Sequence, residues 1–354
     1  MFKHISKEMS EKKLNLKGLS LKELEGFLTR LGEKKYKARQ LFKWIHNKGL
    51  TDFENMSDLS KTLRAKLKEK AYVQSLKKLK SVKSKDGSTE KFLFELEDQG
   101  KIESVLIEEG KRKTLCISTQ VGCALGCLFC ATGKMGFKRN LNSGEIVDQV
   151  ISIKKELYFD DKVTHLVLMG MGEPLLNYDN TLKAIAIMKS ELGLGFASRK
   201  ITLSTAGIVP KIYQMADYGL KVKLAVSLNA ANDDLRSYLM PINKKYPIKE
   251  LLKAARYYAQ KTDQPMTFEY LLIKDTNDSK KDALDLSKII RGISCKINLI
   301  PYNRVPDLPF EKPTEDTITN FRDILYPRCP AVTLRMSKGE DIQAACGQLR
   351  IMSP

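Results

Sequence analysis

Cys123, Cys127 and Cys130 stand in the spacing C-x-x-x-C-x-x-C, which lets one loop wrap three thiolates around a single metal centre. No fourth ligand is at hand. The nearest further cysteine, Cys116, lies at the far end of the preceding strand, and no His is close. A structural zinc site closes its shell with four ligands, and an electron-transfer iron–sulfur cluster usually takes four cysteines. Three thiolates therefore point to iron with an open coordination position; a zinc knuckle, or chance thiols in a reducing cytosol, are the competing readings.

Further along, Gly170-Met171-Gly172-Glu173-Pro174 is a glycine-rich turn after an apolar strand. Its glycines let backbone approach a ligand, and Glu173 can accept from an ammonium group. Ser204, Ser227 and Asn303 fall at or just beyond the ends of apolar strands, where short polar side chains can bond a ligand. Taken singly, each would more often be a satisfied turn residue. Cys346, beside Gly347 near the end of the chain, has the ordinary reading of a buried inert thiol. With Cys116 it makes a candidate pair that alternates between free thiols and a disulfide.

These residues must be positioned by the elements around them. From Thr114 onward, short apolar strands alternate with amphipathic helices, as in repeated βα units around a parallel sheet. The strands are Leu115–Thr119, His165–Met169, Lys200–Ser204, Lys223–Leu228, Thr267–Leu272 and Cys295–Ile300. Six such units suit a partial barrel whose strand C-termini gather polar groups on one face. Ahead of them, Tyr72–Ile107 alternates like antiparallel strands, with a hairpin turn at Lys85-Asp86-Gly87-Ser88. Three helices precede that: one from Ser20 to Gly32, one from Tyr36 to Gly49 with Phe42 and Trp44 filling a core, and one from Ser57 or Asp58 through Leu67. The expected division is a disordered tail at 1–16, a basic RNA-binding helical module at 17–71, a β-rich connecting segment at 72–108 and a catalytic domain at 109–354.

Composition narrows the class. The chain has 354 residues, 42% of them hydrophobic, and a formal net charge of +19, which points to a polyanionic partner. Basic residues crowd Lys61 to Lys85. Seven cysteines, four of them within 116–130, argue for metal or redox chemistry in a reducing compartment over a disulfide scaffold. No apolar leader or membrane-spanning run is evident, so a cytoplasmic protein is expected.

The three-cysteine loop, with Phe129 between its second and third ligands, resembles that of the radical S-adenosylmethionine (SAM) superfamily. Longer segments are more specific. CISTQVGCALGCLFCATGKMGF (116–137), LVLMGMGEPLLNYDN (166–180), SLNAANDDLRSYLMPIN (227–243), GEDIQAACGQL (339–349) and YKARQLFKWI (36–45) resemble the RlmN/Cfr family of radical SAM RNA methyltransferases. The resemblance covers nearly the whole chain from about Leu21.

It implies an α/β fold, a radical SAM partial (βα)6 barrel with a small N-terminal helical module and a short antiparallel β linker region. It implies one 4Fe-4S cluster on Cys123, Cys127 and Cys130, and two SAM per turnover contacted at Gly172, Glu173, Ser204, Ser227, Leu228, Asn229 and Asn303. Asn229 departs from the family, which usually has His there. Cys346 matches the cysteine methylated as an intermediate, Cys116 its disulfide partner and Glu103 a general base. The implied reaction methylates carbon 2 of adenine at position 2503 of 23S ribosomal RNA, with adenosine 37 of transfer RNA as an open second substrate. Pro174, where the carbon 8 (Cfr-like) enzymes usually have Ala, and Gln120-Val121-Gly122-Cys123 favour carbon 2 over the carbon 8 alternative. A flavodoxin- or ferredoxin-type electron donor and a monomeric state complete the expectation. A basic iron–sulfur RNA-binding protein without catalysis is the reading from another class, and it needs neither Cys346 nor Glu173.

Overall fold

The computed structural model describes residues 13–157, 161–329 and 331–351. In chain order they form β1 (Leu14–Asn15), α1 (Leu21–Arg30), α2 (Tyr36–Phe42), α3 (Lys61–Lys70), β2 (Ala71–Tyr72), β3 (Lys77–Lys83), β4 (Thr89–Glu95), β5 (Lys101–Glu109), β6 (Arg112–Cys116) and β7 (Gln120–Gly122). Next come α4 (Ala131–Lys134), β8 (Phe137–Asn140), α5 (Ser143–Glu156), β9 (His165–Leu168), α6 (Tyr178–Lys189), β10 (Ile201–Thr205), α7 (Val209–Asp217) and β11 (Lys223–Ser227). The last are α8 (Asp233–Leu239), α9 (Ile248–Thr262), β12 (Met266–Leu272), α10 (Lys280–Ile289), β13 (Cys295–Pro301), α11 (Glu315–Leu325) and β14 (Val332–Leu334). Two compact units result: one gathers the described residues of 1–76, 142–158 and 182–195, the other those of 77–141, 159–181 and 196–354.

The larger unit is built on a ten-stranded sheet in the order β14-β13-β12-β11-β10-β9-β6-β5-β4-β3. From β6 to β14 every neighbour runs parallel, so the strands' carboxyl ends share one edge. Parallel strands are covered on both faces and read as continuous apolar runs; all seven residues of β12 are buried. The six expected units are present, and the fold is the α/β partial barrel that the sequence implies. β14 is an addition, three partly exposed residues too short to leave a pattern.

The β-rich stretch is not a separate connector. From Lys77 it continues the barrel sheet, with β5 antiparallel to β6 and Val105 opposite Cys116. Outermost β3 is almost entirely exposed and lysine-rich, a composition that discourages further pairing at a sheet edge. The basic run Lys61–Lys85 is consequently divided between α3 in one unit and β3 in the other. Part of it is neutralised by Glu54 on Lys68 at 2.7 Å and Glu95 on Lys77 at 2.9 Å.

The smaller unit is helical. Ser20 caps α1 in a reciprocal capping box with Glu23. Ser60, rather than Ser57 or Asp58, caps α3, because Phe53–Asn55 first makes a short 3-10 turn. The helix expected from Tyr36 to Gly49 changes to a π-helical turn at Lys43–Asn47. Phe42 and Trp44 fill the core, and the Trp44 indole N–H donates to Asp58. The expected tail also needs correction. Residues 1–12 lie outside the described residues, but Leu14–Asn15 pairs with Ala71–Tyr72 and Leu16 is fully buried. Two paired residues are too few to register as a strand in a polar sequence.

α5, expected in the catalytic domain, belongs to this unit. Asn142 and Glu145 cap it reciprocally. Its Asp148 lies 2.6 Å from the Lys17 ammonium, with both side chains essentially inaccessible, and accepts the Leu76 N–H at 2.6 Å. Burial lowers the Lys17 pKa in spite of the carboxylate beside it, so desolvation outweighs the pair's attraction, as buried pairs commonly show. Among the described residues no helix is long and apolar enough to cross a membrane. Lys17→Met should strand the Asp148 charge and cost about 3 kcal/mol in chemical denaturation, with Lys17→Met/Asp148→Leu recovering a substantial part; an unchanged midpoint in the single variant would show the pair to be dispensable.

Candidate active site

The three clustered cysteines occupy the loop between β7 and α4. Strands β7 and β8 pair at the base of this loop, and the Cys123 N–H donates to the Gly136 carbonyl at 2.9 Å. Gly122, at φ +77°, permits the closure, since a Cβ there would meet the Gly136 oxygen at 1.8 Å. Cys127 and Cys130 are joined by a turn, Cys130 N–H to Cys127 carbonyl at 3.2 Å. Phe129, Leu125 and Leu128 pack against an apolar cluster that includes Leu239, Leu271 and Ile300.

Among the described residues no group of His, Cys, Asp or Glu is drawn together tightly enough to grip a metal ion unaided; instead the three thiols line one cavity with Glu173. Burial pushes Cys123 up to about 12 and raises Cys127 and Cys130, with mutual repulsion adding to it. Thiols that cannot ionise alone become ligands only when a cation stabilises their thiolates. That chemistry fits an iron–sulfur cluster held at Cys123, Cys127 and Cys130.

The same cavity is walled by the carboxyl ends of the parallel strands. Gly172, Glu173, Ser204, Ser227 and Asn229 line it, whereas Leu228 and Asn303 do not. Gly172 has φ +99°, and a Cβ would strike Gln120 at 2.5 Å, so only glycine closes this turn. Glu173 is buried and accepts from the backbone N–H groups of Ala206 at 2.7 Å and Leu175 at 3.0 Å. Desolvation still pushes its carboxyl up to about 7, which a bound ammonium would reverse. These groups fit the amino-acid and ribose ends of SAM. Asn229 sits at φ +57°, a conformation Asn tolerates. Its amide oxygen accepts from the Leu271 N–H at 2.9 Å and its nitrogen contacts the Met240 sulfur at 3.3 Å. Both ends are engaged in holding the wall.

Cys116 and Cys346, distant in sequence, line one adjoining cavity that shares Cys130, Met169, Gly170 and Arg335 with the first. Cys116 closes β6; Cys346 arrives on a C-terminal segment whose carbonyls are captured one by one. The Cys346 carbonyl accepts from Asn303 Nδ2 at 3.2 Å, and the Gly347 carbonyl from the Ala131 N–H at 2.8 Å. Both cysteines are free thiols. Burial pushes Cys116 up to about 12, helped by Cys346; Cys346 is solvent-accessible yet crowded enough that desolvation raises it against the pull of Arg335. Glu103 lines a third cavity, with Lys91, Gln343 and Arg350. Strand alternation nevertheless puts it on the same face of β5 as Val105, which faces Cys116 and Cys346.

Three polar residues of this region escape a motif reading. Arg236, with no accessible surface, donates to the carbonyls of Leu228, Ala206 and Ser227 and to Asn243, tying together the wall that carries Ser227 and Asn229. Glu269 and Arg335 face Cys346. Of these, Glu269 alone carries a local signal, a carboxylate inside the apolar run of β12.

Residues 14–73 match the family described as ribosomal RNA large subunit methyltransferase N-terminal domain, and residues 117–287 match the radical SAM superfamily. A probable dual-specificity RNA methyltransferase RlmN from Thermoanaerobacter sp. (strain X514) is 48% identical over 336 residues, 95% of this chain and 97% of the relative. The dual-specificity RNA methyltransferase RlmN of Francisella tularensis subsp. novicida is 47% identical over 349 residues, covering 96% and 94%. The crystal structure of a radical SAM methyltransferase from Sphaerobacter thermophilus superposes with a TM-score of 0.91 at 46% identity, covering 95% of this chain and 99% of that one. Likeness of this extent, over both units and through the cysteine loop, makes the chain a member of the RlmN family of radical SAM RNA methyltransferases.

Proposed function

We propose that this enzyme methylates carbon 2 of adenine, at position 2503 of 23S ribosomal RNA and at adenosine 37 of transfer RNAs, by way of a methylated Cys346 and a transient Cys116–Cys346 disulfide. The observation that carries the reading is the shared cavity of Cys116 and Cys346, which abuts the cavity of the three-cysteine loop. The relatives' names, with their two RNA specificities, support two substrates, and Pro174 with Gln120-Val121-Gly122-Cys123 supports carbon 2.

Carbon 2 of adenine is electron-poor and carries no lone pair, so direct displacement of a methyl group from a sulfonium cannot occur there. When bound, the 4Fe-4S cluster and two SAM supply a methyl group, a hydrogen-abstracting radical and a sink for one electron. Cys123, Cys127 and Cys130 hold the cluster; Gly172, Glu173, Ser204 and Ser227 hold SAM, with Glu173 on its ammonium. Asn229, Leu228 and Asn303 act on the wall and on the Cys346 loop more than on the ligand.

Cys346 receives the methyl group on its sulfur and carries it to the base, so that the ring becomes joined to Cys346 through a methylene. Glu103 takes the proton from carbon 2, and that bond's electron pair returns to the ring. Cys116 then attacks the Cys346 sulfur. The sulfur–methylene bond breaks, its electrons and the Cys116 proton complete the new methyl, and the disulfide that remains must be reduced. A flavodoxin- or ferredoxin-type protein in the cytoplasm would deliver electrons to a monomeric enzyme.

Two outcomes follow. Cys346→Ala should abolish methylation, whereas Cys116→Ala should form an RNA adduct on Cys346 that survives denaturation and vanishes in the double variant; normal turnover by Cys116→Ala would exclude disulfide resolution. Nucleoside mass spectrometry of RNA from cells with and without the gene should show 2-methyladenosine in both ribosomal and transfer RNA. Finding 8-methyladenosine instead would reverse the assignment of the carbon.

A further inference from the structure

Glu103 is 4% exposed, and its two carboxylate oxygens are not equivalent. Oε1 lies 3.1 Å from the Lys91 ammonium. Oε2 is buried with no hydrogen-bond partner, an arrangement a native carboxylate rarely keeps without a purpose. Lys91 is on β4 and Glu103 on β5, in a register that places Lys91 opposite Val105 and Leu93 opposite Glu103. The pair is thus a diagonal contact across one sheet face. The Lys91 ammonium makes a second bond, to the Gln343 carbonyl at 3.2 Å. Gln343 belongs to the segment that carries Cys346, and the same segment is held against this sheet by Asp341, which accepts the Lys85 N–H at 2.9 Å.

One cation therefore joins the carboxylate to the strap that delivers the reacting thiol. We propose that Lys91 is a positioning residue: it occupies Oε1 of Glu103, keeps the carboxylate ionised and leaves Oε2 as the proton-accepting oxygen when the Cys346 segment is docked. The proposal rests on the reading of Glu103 as the base for the carbon 2 proton. In that step the carbon–hydrogen bond breaks, its electron pair returns to the ring and the proton goes to Oε2, with no change in oxidation state.

The alternative is that Lys91 merely staples two surfaces, and electrostatics separates the two. Burial raises the Glu103 pKa, and Lys91 is the largest opposing influence. Facing the carboxylate are also Lys80 from β3, a weaker cation, and Asp341 and Arg350 from the C-terminal segment. The Arg350 backbone N–H favours the ionised form as well. Removing the Lys91 charge raises the pKa further, so proton abstraction must shift to higher pH.

Single-turnover reactions of the cluster-loaded enzyme with a 23S ribosomal RNA fragment test this, reading Cys346 methylation, the denaturation-stable RNA adduct and methylated adenine across a pH series. Lys91→Met should methylate Cys346 normally, accumulate the adduct and yield about tenfold less product at neutral pH for each unit by which the Glu103 pKa rises. Product should recover as pH increases, and Lys91→Arg should behave like the native enzyme. A Lys91→Met profile that coincides with the native one, while Glu103→Gln accumulates adduct, would overturn the role of Lys91 alone. Loss of Cys346 methylation in Lys91→Met would make Lys91 a staple and also overturn it. Normal turnover by Glu103→Gln would instead remove the base reading on which it rests.

Discussion

Strand β6 hydrogen-bonds in two directions, parallel to β9 and antiparallel to β5, and the site depends on that double pairing. The parallel side begins the barrel and sets its strand C-termini along one edge, where Glu173, Ser204 and Ser227 meet the cysteine loop. The antiparallel side joins the β-extension that carries Glu103 and Lys91. Cys116 is the last residue of β6 and so stands where the two halves of the sheet meet. A slip of one residue in the β5–β6 register would turn Glu103 and Val105 to the opposite face.

The second constraint is the C-terminal segment, which has almost no regular structure of its own and is fixed by single hydrogen bonds. Lys85 and Lys91 hold it on the extension; Asn303 and Ala131 hold it on the barrel and at the end of the cysteine loop. Each such bond contributes only about 1 kcal/mol net, so a thiol that must reach two partners in turn is carried by a strap of several weak contacts. Among the described residues, the ends of the strap are the places where the extension and the barrel both bind it.

Much of this was legible in the sequence, for identifiable reasons. Apolar runs alternating with amphipathic helices mark the six βα units because parallel strands are buried on both faces, and the three-cysteine spacing marks the loop because its ligands are local. What stayed hidden is non-local. No pattern within Tyr72–Ile107 states that its strands continue the barrel sheet, since pairing with β6 is a property of two segments. The grouping of α5 with the N-terminal helices rests on Asp148 meeting Lys17 across 131 positions. Leu228 and Asn303 lie off the cavity wall because their neighbours, and not their own types, decide which way they face. Arg236 and Lys91 carry no motif at all.

The account rests on a cluster held by three cysteines with one iron left for SAM. The most direct measurement is electron–nuclear double resonance on anaerobically reconstituted, reduced enzyme with SAM labelled at its amino nitrogen, with iron and sulfide analysis of native and Cys127→Ala protein. About four irons per chain, with nitrogen coupling from the labelled SAM in the native enzyme and loss of the cluster in Cys127→Ala, are the predicted results. A full cluster and continued SAM cleavage in Cys127→Ala, or a native cluster with no coupling to SAM, would contradict it.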